Sequence, residues 1–148
     1  MEADIITSIA DVTRLARRAF DGRARKIGVT RPQWQVLTYL RRNEGINQGG
    51  LADLLDVEPI TVARMIDRLQ EAELVERRPD QSDRRVWRLY LTPAAAKLMD
   101  QLLPLANELF AEAFAGLDAT ERLALQAMLG KIRQNLSLRE PQEMVSHG

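Results

Sequence analysis

The chain has 148 residues, enough for one real core, and its 21 basic and 21 acidic side chains cancel, so no molecule-wide field advertises a polyanionic partner. Cysteine is absent and the single histidine, His147, stands next to the last residue; this excludes disulfides and thiol chemistry and leaves no basis for histidine catalysis, a metal site or a cofactor. No apolar run approaches the length of a membrane span, and Glu2 and Asp4 stand where a secretory leader carries bases, so a cytoplasmic protein without membrane contact is expected.

Charge is distributed unevenly along the chain. Residues 1–43 hold nine basic side chains against four acidic ones, while 44–58 hold four acids and no base. Residues 4 to about 26 read as a helix with Ile5, Ile9, Val12, Ala16 and Ala19 along one side, joined by Ile6, Leu15 and Phe20. Its other side carries Arg14, Arg17, Arg18, Arg23 and Arg25, and Gly28 closes it. Thr30 to Gln33 has the spacing of a capping box with Pro32 in the first turn. The helix that follows buries Trp34, Leu37 and Leu40 and ends between Asn43 and Gly45.

The next stretch, Asn47 to Thr92, organises the chain. Asn47 is a good N-cap for a short helix from about Gln48 to Leu55, whose inner face repeats Leu51, Leu54 and Leu55. Asp56 and Val57 make the turn, and Pro59 opens a second helix, where a missing amide costs nothing. There Val62, Ile66 and Leu69 recur on one face, which leaves Ile60, Arg64, Asp67, Arg68 and Glu71 around the other. One face packs and the other is free to read something. In a helix-turn-helix pair the second helix enters the DNA major groove. Thr61, Arg64 and Arg68 suit that task, since arginine grips guanine through two donors and Ile60 can touch a thymine methyl. By themselves these two helices equally allow a plain helical hairpin with solvated charges.

Two β-favouring runs follow, Val75 to Arg78 and Val86 to Leu91; in the second, Trp87, Leu89 and Leu91 alternate with Val86, Arg88 and Tyr90 to give a half-buried strand. Between them PDQSDRR is rich in turn formers, and Arg77 to Arg88 contains five arginines, Arg77, Arg78, Arg84, Arg85 and Arg88, against Asp80 and Asp83. A cationic hairpin tip beside a reading helix fits DNA, where a narrow minor groove attracts arginine. The order of elements is a winged helix-turn-helix.

Thr92 caps a long helix beginning at Pro93, with Leu98, Leu102, Leu105, Leu109 and Ala113 in a stripe broadened by Phe110 and Phe114; Pro104 should kink it and Gly116 end it. Asp118 and Glu121 open a final helix with Leu125, Met128, Leu129, Ile132 and Leu136 on one face. The last residues are polar and expected to be flexible. The terminal helices carry more apolar surface than a small winged helix covers, and dimerisation would bury it.

The run LADLLDVEPITVARMIDRLQEAELVERRPDQSDRRVWRLYLT resembles the MarR family of winged-helix regulators, and RARKIGVTRPQW before it resembles the SlyA branch. The resemblance implies a single mainly α domain with a small β-wing: dimerisation helices at 1–28 and 117–137, the winged helix-turn-helix at 30–92, a connecting helix at 93–116 and a flexible tail at 138–148. It further implies a homodimer on an inverted-repeat operator of double-stranded DNA. By the same resemblance Asp83 pairs with Arg64 and Arg85 enters the minor groove; Arg84 at the basic tip and Arg78, a contact expected to serve specific and random DNA alike, complete the DNA-binding candidates. A small aromatic acid is the implied ligand, with Arg14 and Arg17 as cations and Trp34 as an aromatic wall. Two departures stand out: Glu73 replaces the glycine that commonly ends the recognition helix, and Gly49 and Gly50 should weaken the first turn of the bracing helix. An architectural DNA-coating protein or a helical interaction module remains the alternative; no catalytic constellation suggests an enzyme.

Overall fold

The computed structural model describes residues 1–138; nearly all of the expected tail lies outside them. The described residues form α1 (Glu2–Arg25), α2 (Arg31–Arg42), α3 (Gln48–Leu55), α4 (Pro59–Glu71), β1 (Val75–Pro79), β2 (Trp87–Leu91), α5 (Pro93–Ala113) and α6 (Ala119–Ser137). They fall into two compact units, Met1–Leu109 and a second that begins at Phe110. This is the expected fold class, mainly α with a small antiparallel wing.

The helices begin where local chemistry dictates. Thr30 and Gln33 form a reciprocal capping box at α2, Asn47 Oδ1 accepts from the Gly50 amide at α3, and Asp118 and Glu121 repeat the box at α6. Helix ends are set by residues in the left-handed region. Gly28 sits at φ 79 while the Val29 and Gly28 amides bond back to Ala24 and Arg25. Asp56 holds the same region at φ 54 in the turn between α3 and α4.

Glu73 adopts φ 61, so the left-handed cap of α4 is kept without glycine. The Leu74 amide reaches Leu69 O at 2.9 Å and the Glu73 amide reaches Gln70 O at 3.0 Å, a full Schellman closure. The Glu73 carbonyl then accepts from Thr92 Oγ1 at 2.6 Å, and the same oxygen caps Ala95 N at the start of α5. One threonine thereby joins the end of α4 to the first turn of α5.

The core of the first unit gathers one face from each element: Val36, Leu37 and Leu40 of α2, Leu51 and Ala52 of α3, Val62, Ile66 and Leu69 of α4, Val75 and Leu89 of the hairpin, and Ala95 and Met99 of α5. Each large apolar residue here contributes about 1.5–3 kcal/mol by leaving water. Two expected core positions differ. Leu54 is 43% exposed, because Ala52 rather than Leu54 turns inward beside Leu51. Trp34 is only half-buried, in a second cluster with Phe20, Ala24, Val29, Leu98 and Leu102. Gly50 has a packing reason: a Cβ there would come within 2.9 Å of Ile46 Cγ1.

The hairpin pairs Val75 with Leu91, Arg77 with Leu89 and Pro79 with Trp87. The Ile46 carbonyl and Gly45 amide bond to both polar groups of Leu89, so the segment before α3 lies along the other side of β2.

In the second unit Arg122 closes the turn between α5 and α6: its guanidinium donates to Leu117 O at 2.9 Å and Phe114 O at 3.0 Å. Both carbonyls belong to the turn that follows α5, and the Phe114 oxygen also accepts from the Leu117 amide at 3.0 Å, so the guanidinium fastens that turn to the first turn of α6.

Candidate nucleic-acid interface

Helix α4 buries Val62, Ile66 and Leu69 and turns Ile60, Thr61, Arg64, Asp67, Arg68 and Glu71 to solvent. Thr61, Arg64 and Arg68 follow one another at helical spacing and share a face. Ile60 is 60% exposed at the N-terminal end of that face, with no core to enter.

What holds this helix in place is Arg77, whose side chain is only 17% exposed. Its Nε donates to Gln48 Oε1 at 2.7 Å, Nη1 to Gln70 Oε1 at 2.8 Å, and Nη2 to the Ala63 carbonyl at 3.2 Å. Nη1 also lies 2.7 Å from Asp67 Oδ1. One guanidinium thus ties β1 to the start of α3 and to three successive turns of α4. Its planar fork of donors makes that possible. Strand parity carried a signal for it, since Arg77 stands two residues from buried Val75 and so shares its face, toward α4.

Arg88 locks the other side of the wing: Nε donates to Asp80 Oδ1 at 2.8 Å and Nη1 to Gly45 O at 2.9 Å. The Arg88 guanidinium holds the Asp80 carboxyl below the ordinary aspartate range, helped by the Ser82 hydroxyl at 2.9 Å. Arg78, the register partner of Arg88, lies on the hairpin face opposite Arg77, 4.1 Å from the Tyr90 ring centroid and 3.2 Å from Glu76 Oε2. Of the five arginines that made the hairpin basic, three hold it together, and Arg84 and Arg85 alone form its projecting tip.

That tip is a tight turn, with the Val86 amide bonded to Asp83 O at 3.1 Å and the Arg85 amide to Asp83 Oδ1 at 3.0 Å. Arg85 Nε sits 3.5 Å from the same carboxylate, with its side chain 93% exposed. Asp83 therefore orders its own turn, and the expected Asp83–Arg64 pair is not among its contacts. The turn aims the acceptor at the amide two residues on, leaving Arg64 exposed on α4. Trp87, expected on the covered side of β2, is 44% exposed because it lies two register pairs beyond buried Leu89, at the tip end of the ladder.

Of the residues expected to hold a ligand, Arg14 and Arg17 lie on α1 and Trp34 on α2. Arg14 Nη2 is 3.4 Å from Asp11 Oδ1, and Arg17 is exposed on the same helix. The Trp34 ring stands edge-on to Phe20 at 4.9 Å, and its indole N–H donates to Asp21 Oδ1 at 2.9 Å. Arg31 Nε donates to Asp21 Oδ2 at 2.7 Å. Arg31 chiefly holds the Asp21 carboxyl below its ordinary range; burial opposes this and the Trp34 N–H adds to it. Among the described residues no group of three or more metal-ligating side chains occurs, and no helix is long and apolar enough to cross a membrane.

A buried-face helix braced by a short helix and flanked by a basic hairpin defines the winged helix-turn-helix class. The MarR family model matches residues 29–87. The chain is 32% identical to the transcriptional regulator PA3341, covering 91% of this chain and 99% of that one at a TM-score of 0.80. It is 28% identical to the transcriptional regulator SlyA, over 96% and 99% of the two chains, TM-score 0.78. A MarR variant from E. coli, solved complexed with operator DNA, is 28% identical over 87% and 93%, TM-score 0.73. The chain belongs to the MarR family of transcriptional regulators.

Proposed function

We propose that the protein regulates transcription by binding double-stranded DNA as a homodimer at an inverted-repeat operator in the cytoplasm. The observation that carries this reading is the exposed face of α4, with Ile60, Thr61, Arg64 and Arg68, on a helix fixed from behind by Arg77. In the major groove Arg64 offers two donors to guanine and Ile60 a methyl contact to thymine. Arg84 and Arg85 reach the adjacent minor groove, while Arg78, held by Glu76 and Tyr90, meets phosphate from the outer hairpin face. The MarR variant solved with operator DNA supports the carry-over. Exposed Ile5, Ile6, Val12 and Leu15 on α1 and Leu123, Met128, Leu129 and Leu136 on α6 support dimerisation, since surfaces of this kind mark interfaces. A two-fold pair of reading helices requires half-sites about one DNA turn apart.

Control by a small aromatic acid belongs to the same proposal, with Arg14 and Arg17 supplying cations and the Trp34 ring a wall. Asp21 already occupies the polar edge of Trp34, so the carboxylate of such a ligand must be met from the arginine side.

The experiment is selection of bound duplexes from a random pool at near-physiological salt, followed by sequencing, with and without a simple hydroxybenzoate. An enriched inverted repeat, weakened in the presence of the acid, is the expected outcome. Recovery without any enriched motif would replace sequence-specific control with DNA coating.

A further inference from the structure

Trp87 is the one large apolar side chain of the hairpin left exposed, at 44%, and its position in the register says where it faces. The pairs Val75–Leu91, Arg77–Leu89 and Pro79–Trp87 share one side of the hairpin. On that side Leu89 is buried in the core and Arg77 bonds α4 through Ala63 O and Asp67. Trp87 extends the same side two register pairs further toward the tip. It therefore lies on the side of the hairpin that Arg77 turns to α4, nearer the turn that carries Arg84 and Arg85. The backbone there is fixed rather than loose, since Arg88 next to it is tied to Asp80 and Gly45.

We infer that Trp87 is a DNA backbone contact, an inference that rests on the DNA-binding reading above. With α4 in the major groove and the wing tip in the neighbouring minor groove, the strand segment separating the grooves must pass between them. That segment presents deoxyribose, which is apolar, and phosphate, which is an acceptor. An indole matches both, with a flat apolar face and one N–H donor. Neighbouring Pro79 adds a rigid apolar shelf and, having no N–H, does not compete for the phosphate acceptor. The contact is blind to sequence, because sugars and phosphates are common to every step.

The test uses the full chain, a random duplex pool of about twenty base pairs, two helical turns, and the same pool after selection. Trp87→Ala should weaken binding to both pools by a common factor of about tenfold, the scale of one aromatic contact to nucleic acid, while Trp87→Phe keeps most of the affinity. The chain has two tryptophans, so its indole N–H signals in heteronuclear NMR are two, and Trp87→Phe assigns them by deleting one. On adding the random pool to the wild-type protein, the Trp87 signal should shift and lose exchange with water. Unchanged affinity in Trp87→Ala together with an unmoved Trp87 signal overturns the inference and leaves the DNA-binding reading standing. Loss confined to the selected pool also overturns it, since Trp87 would then read bases. Failure of the wild-type protein to bind either pool ends both.

Discussion

Arg77 Nη1 lies 2.7 Å from Asp67 Oδ1, across the gap between the first wing strand and the recognition helix. The Asp67 side chain is 61% exposed, so the ion pair itself contributes little, about 0–1 kcal/mol. The bonds to Gln48 and to the Ala63 carbonyl are better shielded and matter more. Arg77→Ala should therefore cost about 1–3 kcal/mol in urea unfolding, while Asp67→Ala costs a fraction of that. Arg77→Lys should not restore stability, because one ammonium cannot span the same partners. Equal losses in Arg77→Ala and Asp67→Ala would assign the work to the charge pair instead.

Glu73 offers a stabilising change. Its φ of 61 is costly for a residue with a Cβ, yet the Schellman bonds and the Thr92 bond to its carbonyl hold it there. Glu73→Gly should raise stability by about 0.5–1 kcal/mol, the relief of left-handed strain less the extra chain entropy of glycine. Thermal unfolding of the two proteins side by side decides it; a lower midpoint for the glycine variant means that the Glu73 side chain contributes something its backbone does not explain.

Helix starts were legible in the sequence because Thr30–Gln33, Asn47–Gly50 and Asp118–Glu121 are chemistry between near neighbours. The reading face of α4 was legible for a related reason: three buried residues at helical spacing leave the rest outside. The division of labour among the wing arginines was not. Arg77 meets Gln48 from 29 positions away and Arg88 meets Gly45 from 43, distances over which composition counts charges without assigning partners. Trp34 was misjudged likewise, since its indole partner Asp21 belongs to the preceding helix. Trp87 obeyed the alternation of its strand but lay beyond the edge of the core that alternation describes.

Asp83 separates two roles by a conservative change. In the free protein its Oδ1 accepts from the Arg85 amide, which an asparagine oxygen reproduces. Asp83→Asn should keep the turn and bind DNA within about twofold of wild type, whereas Asp83→Ala frees the tip and loses about fivefold or more, of the order of one hydrogen bond. Fluorescence anisotropy of labelled duplex distinguishes them. An asparagine variant as weak as the alanine one would point to a charge pair with Arg64 formed only on DNA.

Asp21 gives stability a defined acid limb. Its folded pKa is depressed, chiefly by Arg31, so it binds a proton less readily folded than unfolded. The stabilisation is then complete above the unfolded value, about pH 4, and is lost as pH falls through the lower folded value. Asp21→Asn should lower the urea midpoint at neutral pH and flatten its decline between about pH 4 and 2. Parallel curves for the two proteins across that window would remove Asp21 from the acid transition.

Arg64 tests whether α4 reads bases or only holds the backbone. It is exposed one turn beyond Ile60, on the face opposite Val62 and Ile66, where a bidentate grip on guanine is worth about 1–3 kcal/mol of discrimination. Arg64→Ala should therefore lose about tenfold or more on the selected operator and little on random duplex, narrowing the ratio between them. Arg84→Ala, at the tip, should lower both affinities together and flatten their dependence on salt, because each cation set against the duplex displaces about one counterion. Measured as affinity against salt on both duplexes, the two variants ought to move different quantities: the specificity ratio for Arg64 and the salt slope for Arg84. Equal losses on both DNAs in Arg64→Ala would make α4 a backbone clamp and shift the search for base recognition to Thr61 and Arg68.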